Sequence, residues 1–272
     1  MKSAIKLILH IITLVAILII CQALPTIGCS LIPSRRLGLI LNLIIPIILI
    51  TIASFCYVKL FWKKDWDYFR IVKPKADILL WLLLGCSLIV FISFLFVFFK
   101  YAMVCKGRYD IINLILQCLV IGIMAGVCEE IIFRGFMFKI IEEKLNTVAA
   151  FFIPAILFSS LHILNDIYMG LLSAVQLIVG GTLAGLMFAM ISYKKGSVFY
   201  AVAMHTGWNC TYYLFKFGHF EDYNYNSLLN FKFETHKQLI NGGDFGIEVS
   251  FFAIIVYVLV IFFTAKFADK VK

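Results

Sequence analysis

Charge is scarce in this chain. Asp, Glu, Lys and Arg make up 14% of 272 residues, where ordinary globular domains carry about a quarter. A soluble domain and a charge-swollen disordered chain are both excluded by that shortage. Cysteine is present but unpatterned: eight stand singly at 21, 29, 56, 86, 105, 118, 128 and 210. Without a C-x-x-C pair or regular spacing, neither a disulfide framework nor a zinc ribbon is indicated. Nor is there an H-E-x-x-H pattern, the local signature of a zinc protease helix. The sequence shows no internal repeat and no low-complexity tract, and repeats are what many transporters are built from. The N-terminus lacks a myristoylation pattern, and the ending DKVK lacks a prenylation box.

What fills the chain is hydrocarbon. Hydrophobic residues reach 63% and the mean hydropathy is +1.01, the composition of an integral membrane protein. A helix needs about 20 apolar residues to cross a bilayer. The runs predict eight spans, at about 5–24, 39–59, 78–99, 111–138, 148–165, 170–192, 197–217 and 247–265. The first follows Lys2 and Lys6 as a signal peptide would, but it is long and no A-x-A-like site precedes PTIGCS. It is read as a retained helix. The expected fold class is therefore all-α, a polytopic membrane protein of about eight helices around an intramembrane polar site.

The formal charge of +9 does not call for nucleic acid, because the basic residues sit between the spans. With eight spans both termini share one side, and fifteen of the 24 Lys and Arg fall there against eight opposite, Arg134 being intramembrane. The positive-inside rule makes that side cytoplasmic. Three regions follow: residues 1–110 with three almost purely apolar spans, residues 111–217 with four spans and nearly every buried charge or imidazole, and residues 218–272 with a polar outer loop and a last helix. The first region shows no polar pair at helical spacing, and nothing in it speaks to a substrate.

The middle region raises the question of function. Within the stretch CEEIIFRGFMF, Glu129, Glu130 and Arg134 interrupt an otherwise oily run. Glu130 and Arg134 stand four apart, so they share a helix face and can neutralise each other, while Glu129 is turned about 100° away. An Arg or Asp at a helix centre costs about 2.5–3.5 kcal/mol to insert, and ionisable groups kept inside membranes are usually functional. Glu129 is the one left over. Two more pairs have the same spacing: Phe158 with His162 in FSSLH, and His205 with Asn209 in HTGWN. At about 1.5 Å rise per residue, all fall near the middle of a hydrocarbon core about 30 Å thick. Gly122 and Gly126, and Gly181 and Gly185, form G-x-x-x-G steps that allow close helix packing.

A carboxylate and an imidazole can hold a water and take its proton, and a second imidazole with an amide NH2 can donate to an oxyanion. Glu129, His162 and His205 could equally ligate zinc with an open water position.

At these residues the sequence resembles a known family. EEIIFR fits E-E-x-x-x-R, FSSLH fits F-x-x-x-H and HTGWN fits H-x-x-x-N, in the order found in the CAAX proteases and bacteriocin-processing enzymes, also called the Abi or CPBP intramembrane proteases. The likeness covers roughly residues 111–215. The later GGDFGIEVS is similar to the family's segment before its last helix, with Val249 where Gly is common. The resemblance implies an eight-helix intramembrane endopeptidase acting on a membrane-associated peptide or protein, with the bilayer as its other partner and a bacterial cell membrane as its location. It implies that Glu129 and His162 activate water, that His205 and Asn209 bind the oxyanion, that Glu130 and Arg134 support them, and that Phe158 packs the site. The family was first described as metalloproteases and later as glutamate-dependent without metal. The metal-free form is expected here; a zinc form would use Glu129, His162 and His205.

Other polar residues have simpler readings. His10 is a packed or interfacial imidazole, His219 and His236 belong to the outer loop, and Asp166 ends a helix rather than orienting His162. Tyr212 and Tyr213 are expected in the pocket wall or the interface belt. A membrane scaffold, or a bacteriocin self-immunity protein that keeps the pocket, is the rival to the enzyme.

The charge asymmetry predicts that reporter fusions at Lys272 and within 63–75 read cytoplasmic and that one within 220–240 reads external. An external C-terminus would overturn the eight-span arrangement.

Overall fold

A computed structural model describes residues 2–165, 167–219 and 226–268. Among the described residues, eight apolar helices carry the chain: α1 (Lys2–Ser30), α2 (Arg35–Trp62, its last turn a π turn), α3 (Ile78–Phe98), α4 (Ile111–Lys144), α5 (Thr147–His162), α6 (Leu171–Lys195), α7 (Phe199–Leu214) and α8 (Phe251–Phe267). Several begin where a short polar side chain satisfies an orphan backbone N–H. Ser34 accepts from the amide of Leu37, Asp110 from Asn113, Asn146 from Ala149 and Ser250 from Ala253. Gly196, at φ 69°, closes α6 in the left-handed region that glycine adopts at no steric cost.

The first four helices and α6 are long and apolar enough to cross a membrane. At 16, 16 and 17 residues, α5, α7 and α8 are shorter. Two of the expected spans end early. The run expected over 148–165 leaves the α-helix after His162, and the run over 197–217 stops at Leu214 and turns into a strand. By contrast α4 has 34 residues, about 50 Å of helix, more than a hydrocarbon core of about 30 Å requires.

The expected outer loop is partly a sheet. Strand β1 (Ala102–Lys106) pairs antiparallel with β3 (Leu229–Phe233), and β2 (Phe215–Gly218) pairs parallel with β3 on its other side. Phe215 and Phe217 on β2, and Phe231 and Phe233 on β3, alternate with polar residues, so each strand presents one apolar face. Phe217 stacks on Phe231 with ring centroids 4.8 Å apart.

Two packed clusters surround the centre. One joins Leu14, Leu18, Ile50 and Tyr57 to Phe133, Phe136 and Ile140 of α4; the other joins Ile89, Ile92 and Phe96 of α3 to Met187, Met204, Trp208 and Tyr257. Glycine seams hold the helices close. A Cβ on Gly85 would stand 2.2 Å from the Met204 carbonyl oxygen, and one on Gly207 would stand 2.2 Å from that of Leu82, so α3 and α7 touch backbone to backbone. The G-x-x-x-G step of α4 faces α7, with Gly122 against Cys210 and Gly126 against Thr206. The step of α6 faces α5, with Gly181 against Ser159 and Gly185 against Ala155. These seams set how closely α4, α5 and α7, the three helices that bear the polar pairs, approach their neighbours.

The contact between α3 and α7 makes a stability prediction. Gly207→Ala meets backbone that no rotamer change can relieve, and overpacking of this kind costs about 1–3 kcal/mol. Gly28→Ala, whose Cβ meets nothing within 4 Å, is the control. Thermal unfolding in detergent should show Gly207→Ala less stable and Gly28→Ala near wild type; equal midpoints would mean that the seam yields.

Candidate active site

Helix α4 is not regular where its charges lie. π turns at Val120–Met124 and Ile131–Met137 flank the α-helical Ala125–Glu130, and such turns recur at functional positions. They leave Glu130 and Arg134 fully buried and Glu129 on a neighbouring face. Arg134 Nη1 lies 3.2 Å from Glu130 Oε1, an ion pair without a hydrogen bond between these two atoms. The guanidinium donates instead through Nη2 to the Gly185 carbonyl at 3.2 Å. It lies over the rings of Phe158 at 4.6 Å and Phe188 at 5.5 Å, contacts that favour a cation in a dry place.

The same carboxylate oxygen holds His205. Its Nδ1 is 2.9 Å from Glu130 Oε1, and because a carboxylate accepts, Nδ1 carries the hydrogen. The imidazole is stacked on Phe188, 4.7 Å between centroids and 14° from parallel. That leaves Nε2 directed toward Glu129, whose Oε2 is 4.0 Å away. His162 is fixed in a parallel manner. Its Nδ1 sits 2.8 Å from the Phe158 carbonyl oxygen, four residues back on α5. A carbonyl only accepts, so Nδ1 is again the protonated nitrogen and the Nε2 of neutral His162 keeps its lone pair. Phe158 packs against both imidazoles, at 4.6 Å from His162 and 6.3 Å from His205.

Glu129, His162, His205 and Asn209 line one cavity of about 320 Å³, walled also by Phe158, Phe188, Trp208, Tyr212, Tyr213 and Phe245. Glu129, Phe158 and His162 also border a second, more open groove, formed largely by the apolar residues Leu18, Ile19, Ile27, Leu161 and Leu164. All seven residues marked in the sequence therefore meet around one centre: four on the cavity, Phe158 in its wall, and Glu130 with Arg134 directly beneath His205. Among the described residues no group of three His, Cys, Asp or Glu is arranged to hold a metal ion.

Two polar residues escaped the sequence reading. Gln22 of α1 donates from Nε2 to Glu129 Oε1 at 3.5 Å, a long contact. The N-terminal region thus reaches the site, against the expectation that it contributes only apolar spans. Gln22 and Thr26 stand four apart in α1, a pair at helical spacing that could have drawn attention. The second is Glu248, in the wall of the cavity, whose Oε1 accepts from Trp208 Nε1 at 2.8 Å. Its signal was a lone acid in GIEVS at the edge of the last apolar run.

The remaining expectations are placed as follows. His10 packs within α1 and α2, its Nδ1 2.8 Å from the Tyr57 hydroxyl. His219 follows β2 and His236 follows β3, with their rings stacked 4.5 Å apart. Tyr212 and Tyr213 are in the cavity wall. Asp166 lies outside the described residues. Val249 packs over Gly180, where an added Cβ would come within 2.9 Å of the valine; the missing side chain on α6 makes room for the unexpected one.

Residues 111–211 match the family model described as Rce1-like, type II CAAX prenyl endopeptidase Rce1-like. No curated protein and no solved structure matches the chain.

The ion pair beneath His205 yields a prediction. Breaking a buried pair from one side typically costs about 3–5 kcal/mol, since the remaining charge is stranded. Arg134→Ala should therefore lower the amount of folded protein, read by size-exclusion of a fluorescent fusion. Adding Glu130→Gln should recover part of the loss by removing the stranded charge. Normal accumulation of Arg134→Ala alone would show that the pair is not structural.

Proposed function

Because residues 111–211 carry an Rce1-like domain, of a family of type II CAAX prenyl endopeptidases, we propose that this integral membrane protein is an intramembrane endopeptidase whose water is activated by Glu129 and His162. The family supports a peptidase; the mechanism and residue roles are our reading. The observation that carries it is the convergence of a carboxylate, two imidazoles and an amide on one cavity.

Glu129 and the unprotonated Nε2 of His162 offer two acceptors for the protons of one water. As the water oxygen attacks the peptide carbonyl carbon, one proton passes to this pair, and the carbonyl oxygen takes the negative charge. His205 and Asn209 are the donors for that oxyanion. Since His205 Nδ1 already donates to Glu130, donation from Nε2 requires the imidazole to carry both protons. Asn209 lines the cavity, and its NH2 supplies the second donor. Collapse of the tetrahedral species breaks the C–N bond, and the proton held by the Glu129–His162 pair goes to the leaving amine. Preorganised donors of this kind are worth most where water is excluded.

Access fits a membrane-associated substrate. The apolar groove beside α1 and α5 reaches Glu129 and His162, so a chain lying in the bilayer can approach without crossing the polar surface. Binding and cleavage of such a chain are the proposal; the self-immunity or scaffold reading keeps the same pocket without turnover.

The roles are separable by rate. Glu129→Gln removes the proton acceptor at nearly constant size, and positioned bases contribute about 10²–10⁴-fold, so cleavage of a membrane-anchored peptide in liposomes should fall by that much. His162→Ala should behave alike, and the double variant should lose little more, as expected of groups that act on one water. Asn209→Ala should lose about 10²–10³-fold, the loss of one oxyanion donor. Additive losses at Glu129 and His162 would refute a shared water, and full biological function of Glu129→Gln would favour the scaffold. Activity should persist after chelation and dialysis; zinc at one equivalent, lost with activity and restored with it, would overturn the metal-free step.

A further inference from the structure

One carboxylate in the cavity wall has no part in the hydrolysis just described. Glu248 lies in the short turn before α8, beyond the segment that matches the family model. Two contacts fix it. Trp208 Nε1 donates to its Oε1 at 2.8 Å, and the Tyr257 hydroxyl donates to its backbone carbonyl at 2.8 Å. Trp208 and Tyr257 also pack ring to ring, 5.2 Å between centroids. The carboxylate is thus held in one orientation at the cavity, by a helix that also bears His205 and Asn209.

Among the described residues, the lining of its cavity contains no Lys or Arg. The chargeable groups that line that cavity with Glu248 are His162, His205, Glu129 and the phenols of Tyr212, Tyr213 and Tyr257. Arg134 is engaged beneath the site by Glu130 and the Gly185 carbonyl. A second carboxylate beside an oxyanion-binding site opposes the charge that develops in the reaction, and an uncompensated anion in a secluded cavity is costly. A buried carboxylate without a cation takes up a proton, so its ionised form depends on a cation brought in by what enters.

Resting on the endopeptidase reading, we propose that Glu248 is a specificity residue of this cavity that receives a cationic nitrogen of the substrate chain, through the carboxylate oxygen not bound by Trp208. The chemistry recognised is an ammonium or guanidinium: a Lys or Arg side chain near the cleaved bond, or a free α-amine. A binding pair of this type, formed where water is excluded, discriminates strongly against an isosteric neutral group. The contact is made in the ground state and in the transition state alike, so its effect falls on KM rather than kcat.

The test uses the full chain in liposomes with a panel of lipid-anchored peptides. Each position in turn carries Lys or the neutral isostere norleucine, and each peptide is made with a free and with an acetylated N-terminus. In wild type, one position should favour Lys over norleucine in kcat/KM by at least about tenfold, mainly through KM. In Glu248→Gln that ratio should fall toward one. Persistence of the preference in acetylated peptides assigns the cation to a side chain; its restriction to free N-termini assigns it to the α-amine. If Glu248 merely anchors Trp208, Gln retains an oxygen acceptor and the ratio does not move, which overturns the proposal. So does a wild type that cleaves the panel with no preference for Lys or a free amine, a result that needs no variant to fold. Absence of cleavage of every peptide would defeat the endopeptidase reading and this inference with it.

Discussion

The buried chain Arg134–Glu130–His205 is the constraint around which the rest is arranged. A cation and a carboxylate with almost no exposure do not persist in an apolar bundle unless their geometry is enforced from outside, because desolvation opposes them. Here the enforcement is visible. The Gly185 carbonyl and the rings of Phe158 and Phe188 receive the guanidinium, and the glycine seams bring α5, α6 and α7 near enough to α4 for those contacts to form. Glu130 then presents one oxygen to both Arg134 and His205. The orientation of the imidazole that faces Glu129 is thus inherited from an ion pair that lies below the cavity.

The two histidines illustrate how little hardware sets a protonation pattern. Each places Nδ1 on an acceptor, a carboxylate for His205 and a main-chain carbonyl for His162, and each leaves Nε2 for chemistry. The partners differ in charge, and in the proposed reaction that difference suits His205 to hold a second proton and His162 to accept one. The irregular turns of α4 belong to the same device. They interrupt the helix on either side of the acids, so that adjacent carboxylates, Glu129 and Glu130, have separate tasks: one toward the cavity and one toward the buried cation.

Much of this was legible in the sequence, and for a reason. Inside a membrane every ionisable residue is expensive, so a short list of charges and imidazoles is nearly a list of the site. The four-residue steps of Glu130 with Arg134, Phe158 with His162 and His205 with Asn209 survive as shared faces, because helical periodicity is local. What was less legible lay where periodicity ends. FKFG and LNFKF alternate as strands do, yet they are four and five residues long, and the third strand of their sheet, β1, lies over 100 residues earlier in the chain. Glu248 is a single acid at the margin of an oily run, and Gln22 has only Thr26 on its face; neither segment says which neighbour its polar group meets.

By itself, then, the sequence determined the helices, the residues that could not face lipid and the pairs that share a face, since each of these follows from hydropathy and a period of 3.6 residues. The tertiary structure alone decided that Glu130 serves His205 rather than only Arg134, that Glu129 faces the cavity beside Gln22, and that Glu248 enters its wall held by Trp208. Those contacts join residues 40 to more than 100 positions apart, and they depend on how closely helices approach. That distance is set by glycines whose partners lie on other helices, which is information the local pattern does not contain.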